Sequence, residues 1–285
     1  MSPAASGTAT GMTKVGESIR IGVVVPTRNS ARTLAACLAS LRMQTLRPLV
    51  IVVDNHSTDA TPSIAETLAD LVVVAGPERS GQRNLGARLL AEVDVVGFVD
   101  SDMVVERTVI EEARAAVSAG ADALVVPEHT IGQGLVARIR AFERAQYVGA
   151  SRVEAARFFR RPLFLDLGGF DEALDAGEDW DLDLRARASG AVVQAIEARI
   201  WHDESGQGFL AHCAKKGRYA SGIRCFLDKH GDAGRAILFD RPYLRRPWLL
   251  LRHPVLGAGL VLLKSGETVA VAWQLATRST RGAAR

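Results

Sequence analysis

Four short apolar runs, each followed by a stretch with helical spacing, constrain the fold of this chain more than any other feature. The runs cover residues 21–25, 50–53, 72–74 and 95–99, are rich in Val and contain no charged residue. Uncharged runs of this length are typical of strands buried on both faces of a sheet. Helices between such strands predict a mostly parallel, doubly wound sheet with right-handed crossovers. We therefore expect an α/β, Rossmann-like domain flanked by helices.

Three polar clusters follow these runs. Residues 27–29 come after the first run, residues 54–57 after the second and residues 100–102 after the fourth. In open parallel sheets, ligands bind outside the carboxyl ends of the strands. The sequence therefore predicts that the three clusters gather at one edge and form a ligand site.

The cluster Asp100-Ser101-Asp102 places two carboxylates one residue apart at a strand end, where both can face a divalent ion. Mg²⁺ or Mn²⁺ held by hard oxygens can neutralise the charge of a nucleotide diphosphate as it leaves. A D-x-D tripeptide alone is common and usually carries no function. Its position after the fourth strand favours a metal site.

Two further segments fit nucleotide binding. Asp54 can accept hydrogen bonds from a uracil-like imide or a ribose hydroxyl, although residues 57–59 could simply form a turn that caps the next helix. The helix predicted after the third apolar run begins near Arg83. The guanidinium of Arg83 and the free N–H groups at this helix start could meet diphosphate oxygens. Gly81 and Gly86 would allow close backbone approach. A solvated helix start is the alternative.

Acidic residues later in the chain are candidates for a general base. An acceptor hydroxyl needs a base as it attacks, and Glu178 and Asp179 are suitable carboxylates. Trp180 beside them suits packing against a sugar, while an acidic helix N-terminus is the alternative interpretation. His202 follows a short predicted strand and could be a third metal ligand, a phosphate donor or an ordinary surface histidine.

Composition excludes several classes of protein. The chain has 35 Lys and Arg against 32 Asp and Glu, a net charge of +3 that favours no nucleic-acid partner. Three cysteines without C-x-x-C spacing indicate a reducing cytoplasm. Residues 1–18 are rich in Ala, Ser, Thr and Gly, which predicts a disordered leader and not a signal peptide. No apolar stretch reaches the roughly 20 residues of a membrane span, since the nearest one ends at Lys264.

Residues 206–285 predict a basic and apolar helical appendage. Arg241, Arg245, Arg246 and Arg252 surround the apolar residues 248–251. Arginines beside a Trp-bearing helix fit interfacial membrane binding. A helical pair packed on the catalytic domain, with its basic face in solvent, is the alternative.

Together these segments resemble a family 2 glycosyltransferase with a GT-A fold, over residues 19–205. The resemblance lies in VVVPTRN (residues 23–29), VDNHSTD (53–59), ERSGQRNLGA (78–87), DSDM (100–103), LGGFDE (167–172) and GEDWDL (177–182). None of these segments is decisive alone, but the family's order and approximate spacing are specific.

The resemblance implies an inverting, single-displacement transfer and assigns the following roles. Nucleotide and donor contacts fall to Pro26, Thr27, Arg28, Asn29, Asp54, Arg83, Asn84, Asp100 and Ser101. The sugar and acceptor cleft falls to Gly168, Gly169, Phe170, Asp171, Glu178 and Trp180. Asp179 matches the catalytic base, and Asp102, Asp100 and His202 match the ligands of Mg²⁺ or Mn²⁺.

The implied donor is a UDP-, GDP- or dTDP-sugar, and the acceptor a hydroxyl of an envelope glycan, a lipid-linked glycan or a metabolite. The Q-x-x-R-W motif of processive synthases is absent, so we expect one or a few sugars to be added by a cytoplasmic enzyme that contacts the membrane peripherally. A nucleotidyltransferase is the second interpretation, but it would carry a Gly-rich basic loop where this chain has residues 26–29. An inactive GT-A subunit used for binding is the third.

Overall fold

The computed structural model describes residues 18–76, 78–147, 153–206, 208–239 and 241–282, with side chains through residue 277. The predicted leader, apart from its last residue, lies outside the described residues.

Ten strands lie in the described residues. They are β1 (Ile21–Thr27), β2 (Leu49–Asp54), β3 (Leu71–Val74), β4 (Val95–Phe98), β5 (Met103–Val105), β6 (Ala123–Val125), β7 (Glu128–Ile131), β8 (Phe158–Arg160), β9 (Val193–Ala195) and β10 (Ile200–Asp203).

Twelve helices lie in the same part of the chain. They are α1 (Leu34–Arg42), α2 (Thr61–Leu68), α3 (Arg79–Leu89), α4 (Val109–Ser118), α5 (Leu135–Arg144), α6 (Arg161–Asp166), α7 (Glu178–Ala188), α8 (Phe209–Arg218), α9 (Ala220–Phe239), α10 (Pro242–Arg245), α11 (Trp248–Leu251) and α12 (Pro254–Gly282).

The central sheet has the strand order β3-β2-β1-β4-β8-β6-β9. Strand β1 pairs in parallel with both β2 and β4, so that Val24 lies opposite Ile51 on one side and Phe98 on the other. Only β8 runs antiparallel, between β4 and β6. The four predicted strands and the mostly parallel sheet are therefore confirmed. All seven residues of β1 are buried, as the uncharged run predicted.

Helix α3 packs directly on the central sheet. A Cβ added to Gly86 would lie 2.4 Å from Cγ1 of Val24, so this glycine allows close packing of α3 on β1. The expectation that Gly86 serves approach to a ligand is therefore wrong, because its open side faces the sheet.

A second, three-stranded sheet was not predicted from the sequence. Its order is β5-β10-β7, with β10 antiparallel to β5 and parallel to β7. The register sets His202 opposite Met103 on one side and Thr130 on the other. This small sheet therefore carries His202 to the residues that follow β4.

The C-terminal helices pack on the catalytic domain through a separate apolar cluster. Its buried members come from α5 and the residues after it, from α8, and from α10 and α12: Ile139, Tyr147, Cys213, Tyr243, Leu260 and Leu263. One face of α12 therefore packs on the catalytic domain, as the second interpretation of the C-terminal region expected.

The apolar stretch of α12 does not end at Lys264, contrary to the expectation. Among the described residues, the stretch Pro254–Thr277 (24 residues) is long and apolar enough to cross a membrane, and 17% of its most apolar window is buried. The expectation failed because a charged residue need not end such a helix when that charge is paired with the protein.

Candidate active site

A cleft of about 770 Å³ opens at the carboxyl ends of β1, β2 and β4. The three polar clusters meet there, as predicted, together with the starts of α3 and α7, strand β10 and the end of α8. The lining residues include Pro26, Thr27, Arg28, Ser30, Asn55, Arg79, Asp100, Ser101, Asp102, Glu178, His202, Lys215, Arg218 and Tyr219.

Hydrogen bonds fix the loops after β1 and β2 against each other. The backbone N–H of Asn29 donates to Oγ of Ser57 over 2.8 Å, and Asn29 itself has a positive φ of 47°. In the wall of the cleft, Nε2 of Gln82 donates to the carbonyls of Thr27 and Val53 at 3.1 and 2.6 Å. Helix α3 therefore ties the ends of β1 and β2 together on this side of the cleft.

Thr27 lines this side of the cleft, whereas Asp54 is not among the lining residues. The carboxylate of Asp54 accepts the backbone N–H of Ser57 at 2.9 Å, and the residue is 1% exposed. The Oγ1 of Thr27 is buried and has no hydrogen-bond partner among the described residues. A ligand atom in the cleft could satisfy this hydroxyl, whereas contact between Asp54 and a nucleotide stays a prediction.

Arg83 lies beneath the cleft and does not line it. Its side chain is fully buried, and it donates to Oδ1 of Asp100 at 2.6 Å, to Oδ1 of Asp179 at 2.9 Å and to Oε1 of Glu178 at 3.3 Å. One guanidinium therefore holds acids from the end of β4 and the start of α7. Burial raises the pKa of Asp100, but Arg83, Arg79 and Arg157 outweigh that effect and hold the pKa well below its usual range.

The predicted sugar and acceptor residues 168–171 form a loop that supports Arg83. Nδ2 of Asn84 donates to the carbonyl of Phe170 at 2.9 Å, and the Phe170 N–H donates to Oδ1 of Asn84 at 2.8 Å. The Phe170 ring lies 5.0 Å from the guanidinium carbon of Arg83. Gly169 has a φ of 74°, and a Cβ there would lie 2.5 Å from Oδ1 of Asn84. Asp171 accepts a bond of 2.6 Å from Lys229 on α9.

The acids at the start of α7 have unequal surroundings. Glu178 is buried and pairs with Arg79 at 2.6 Å, while the side chain of Asp179 is 35% exposed. Burial, and after it the charge of Asp179, raise the pKa of Glu178. Trp180 packs within the protein: its indole N–H donates to the carbonyl of Val153 at 2.9 Å, and its ring lies 5.9 Å from that of Phe226. Asp179 is thus the more exposed of the two acids, whereas Glu178 is the one that lines the cleft.

Asp102 and His202 form the candidate metal site. Oδ2 of Asp102 lies 3.1 Å from Nε2 of His202, and Nδ1 of the same ring lies 2.8 Å from Oε1 of Glu128. Two ligands about 2.1 Å from an octahedral ion, in adjacent positions, are about 3.0 Å apart. The observed separation therefore fits Mg²⁺ or Mn²⁺, and Glu128 would orient the ring from behind.

Within the described ranges, no group of three or more His, Cys, Asp or Glu residues could hold a metal ion unaided. A carboxylate and an imidazole would thus leave positions for diphosphate oxygens and water. The expected ligand Asp100 has one oxygen engaged by Arg83, so its metal role stays a prediction. Burial lowers the pKa of His202, but the hydrogen bonds to Asp102 and Glu128 outweigh it and raise the pKa to about 9.

A buried ion-pair network extends from this site to the C-terminal helix. Arg144 contacts Glu128 and also Glu204, the latter over 3.5 Å. Arg140 pairs with Glu204 over 3.2 Å and also with Glu143. Glu143 in turn accepts a hydrogen bond of 2.8 Å from Lys264 of α12. This network, which we call the Glu128–Lys264 network, is the main electrostatic link between the catalytic domain and α12.

Sequence reasoning missed Glu128, and with it Arg157, which donates to Glu128 at 2.9 Å. No local signal could have found them, because Glu128 and His202 are 74 positions apart and meet only across the small sheet. Lys215, Arg218 and Tyr219 follow His202 as a basic and aromatic segment, and the structure places all three on the cleft.

The mixed sheet, the cleft at its carboxyl edge and the acids that follow β4 define a protein of the GT-A fold. The chain belongs to glycosyl transferase family 2, whose sequence profile matches residues 22–169, and this confirms the resemblance seen in the motifs.

A pre-mycofactocin glycosyltransferase of Mycobacterium tuberculosis is 29% identical over 266 residues, which cover 86% of this chain and 54% of that protein. The succinoglycan biosynthesis protein ExoA of Rhizobium meliloti is 28% identical over 208 residues, covering 63% and 59% respectively. The chain thus spans only a little over half the length of these curated relatives.

Solved structures share the fold. The mannosyltransferase PcManGT of Pyrobaculum calidifontis, in complex with GDP-Man and Mn²⁺, has a TM-score of 0.57 at 24% identity, covering 92% of this chain and 79% of its own. Residues 1–349 of S. aureus TarS, in complex with UDP-GlcNAc, give a TM-score of 0.51 at 22% identity, with 72% and 66% covered. At these identities the likeness shows the fold alone.

Proposed function

We propose that this chain is an inverting, metal-dependent glycosyltransferase that moves a sugar from a nucleoside-diphosphate donor to a hydroxyl acceptor. The observation that supports this most strongly is the cleft of about 770 Å³ in which the Asp102–His202 pair, Glu178 at the start of α7 and the basic end of α8 face one space.

The donor nucleotide would bind over residues 26–29, beside Asp54. The unpartnered Oγ1 of Thr27 supports this, since a buried hydroxyl without a partner costs free energy that a bound base or ribose would recover. Lys215 and Arg218 would contact the diphosphate from the opposite wall. The donor is a UDP-, GDP- or dTDP-sugar, and relatives of this fold are known with GDP-Man and with UDP-GlcNAc.

Asp102 and His202 would hold Mg²⁺ or Mn²⁺, with Glu128 orienting the imidazole. When bound, the metal supplies positive charge that stabilises the departing nucleoside diphosphate. An imidazole ligand suits Mn²⁺ somewhat better than Mg²⁺.

Asp179 would act as the base. Arg83 engages its Oδ1, which leaves Oδ2 to take the proton from the acceptor hydroxyl. As that proton leaves, the acceptor oxygen bonds to the anomeric carbon from the face opposite the phosphate, and the bond to the phosphate oxygen breaks with its electron pair. One displacement of this kind inverts the anomeric centre. Arg83 keeps Asp179 oriented.

The acceptor would be an envelope glycan, a lipid-linked glycan or a metabolite, with transfer of one or a few sugars. The exposed apolar side chains of α12 support peripheral contact of a cytoplasmic enzyme with a membrane, although they do not bear on the compartment.

A thermal-shift screen of nucleotide sugars, with and without Mn²⁺, tests the proposal. A ligand at a hundred times its Kd raises the free energy of unfolding by about 2.7 kcal/mol, so a true donor gives a clear shift that Mn²⁺ enlarges. Indifference to every nucleotide sugar, with and without metal, would refute the assignment.

A further inference from the structure

The outward face of α12 carries no charge over more than five turns. Its exposed positions are Val255, Ala258, Val261, Leu262, Ser265, Thr268, Val269, Ala272, Trp273 and Ala276. Four of the largest, Val255, Leu262, Val269 and Trp273, fall within a sector of about 40° at 100° per residue. They are 76, 63, 69 and 71% exposed. A solvated helix normally places its charged residues on this side, so the face is built to be covered.

The two charged residues in the middle of α12 point the other way. Lys264 donates to Glu143 at 2.8 Å and to Glu267 at 3.0 Å, and Glu267 lies 2.9 Å from Nε2 of His212 on α8. Leu260 and Leu263, on the same inward side, are buried in the cluster shared with α5. The middle of helix α12 is therefore held to α5 of the catalytic domain and to α8.

The chain that leads into α12 is basic and also exposes apolar side chains. Between residues 241 and 263 there are four arginines and no acid. Leu244, Trp248 and Leu251 are 63, 53 and 77% exposed. The exposed Arg246 and Arg252, beside exposed Trp and Leu side chains, match an anionic lipid surface in charge and chemistry.

We infer that the outward face of α12, with α10 and α11, is a monotopic binding face for an anionic bilayer, and that α12 lies along the membrane surface without crossing it. This deepens the peripheral contact in the proposed function. The helix has the length to span a membrane, but crossing would remove Lys264 from Glu143, a buried carboxylate that is only 2% exposed. Glu143 would keep Arg140 but lose one of its two cationic partners. Losing a partner of a buried charge is costly, whereas the interfacial position keeps the Glu128–Lys264 network intact.

Flotation with vesicles tests the binding. The full chain should float with phosphatidylcholine vesicles that contain phosphatidylglycerol, and bind poorly to phosphatidylcholine alone. Alkaline carbonate should release the bound protein. Retention after carbonate would overturn the inference in favour of a spanning helix, and failure to bind either vesicle would overturn it outright.

Matched variants locate the face. The double substitution Leu262→Glu and Trp273→Glu should weaken vesicle binding at least about tenfold. The control Met43→Glu and Leu71→Glu adds the same charge at positions 60 and 47% exposed on the catalytic domain, and should bind as wild type does. Equal loss in both pairs would contradict the inference.

A second pair separates charge from apolar contact. Arg246→Gln with Arg252→Gln should weaken binding to the anionic vesicles about thirtyfold, because each basic residue near such a surface contributes about fivefold to the affinity. Arg88→Gln with Arg107→Gln, also exposed, is the control and should bind as wild type does.

Two readouts separate lipid binding from self-association and from donor binding. Light scattering should show a monomer without lipid. A dimer that the Leu262→Glu and Trp273→Glu pair dissociates, together with absent vesicle binding, would mean that a second copy covers the face and would overturn the inference. The nucleotide-sugar thermal shift should be equal in wild type and this pair. Vesicle binding without any nucleotide-sugar response would refute the proposed function and leave the membrane face standing.

Discussion

Replacing Arg83 by Met tests the electrostatic centre of the site. Arg83 is fully buried and holds Asp100, Asp179 and Glu178 at 2.6, 2.9 and 3.3 Å. Met fills much of the same volume but leaves three carboxylates without this partner. Arg79 still pairs with Glu178 over 2.6 Å, so part of the negative charge stays compensated.

The expected loss follows from the burial. A pair of unit charges 4 Å apart is worth about 4 kcal/mol at an effective dielectric constant of 20, and part of that offsets desolvation. Removing one partner of a buried pair costs about 3–5 kcal/mol in practice. We expect Arg83→Met to lower the free energy of unfolding by that amount at pH 7.

The loss should depend on pH in a defined direction. The folded pKa of Asp100 is lowered, so its ion pair contributes stability above the unfolded pKa of about 3.9 and loses it as the pH falls towards the folded pKa. The variant lacks most of this contribution. The difference between wild type and variant should therefore be largest near neutral pH and shrink below about pH 4.

Urea unfolding followed by tryptophan fluorescence measures this difference. Arg88→Met is the matched control, because Arg88 lies exposed on the same helix, and it should change stability by less than about 0.5 kcal/mol. A loss below about 1 kcal/mol for Arg83→Met at pH 7, or a loss equal to that of the control, would refute the assignment of Arg83 as the buried partner of the three acids.

Three further outcomes follow from the geometry. The imidazole of His202, with a pKa of about 9, must lose a proton to bind metal. Calorimetry should therefore show that the affinity for Mn²⁺ rises from about pH 6 to about pH 9. An affinity that does not change with pH would contradict the metal role. Lys215→Ala should raise the KM for the donor about tenfold through loss of a charged phosphate contact, while the exposed control Arg224→Ala should leave it unchanged; equal KM values would exclude Lys215 from the donor site. Gly86→Ala should cost about 1–3 kcal/mol in urea unfolding, because its Cβ would meet Val24 at 2.4 Å, and unaltered stability would argue against the close packing of α3 on β1.

Local pattern was sufficient for the central sheet but not for the small one. The uncharged run at residues 21–25 predicted β1, because only a strand covered on both faces has no use for polar residues. Strand β7 is four residues long and reads Glu-His-Thr-Ile, which carries no periodic signal. Its pairing with β10 depends on residues more than 70 positions away, so no local pattern could reveal it.

The same limit applies to the site. The D-x-D acids were found because they follow a strand, whereas the burial of Arg83 depends on acids that come together only in the folded chain. Sequence reasoning therefore located the acids correctly at the edge of the sheet but expected Arg83 near the nucleotide. For α12, Lys264 indicated the end of an apolar run. The helix continues past Lys264 to residue 282, and the lysine is paired with Glu143 of α5.

The central claim is that Asp102 and His202 hold a metal against the diphosphate of a nucleotide sugar. The direct measurement is nucleoside-diphosphate release from the donor found by thermal shift, with Mn²⁺ and after chelation, for wild type and Asp102→Asn. We expect release by wild type only with metal, and a loss of at least about a hundredfold in Asp102→Asn even at saturating Mn²⁺. Release by Asp102→Asn at the wild-type rate, or release by wild type that survives chelation undiminished, would contradict this claim.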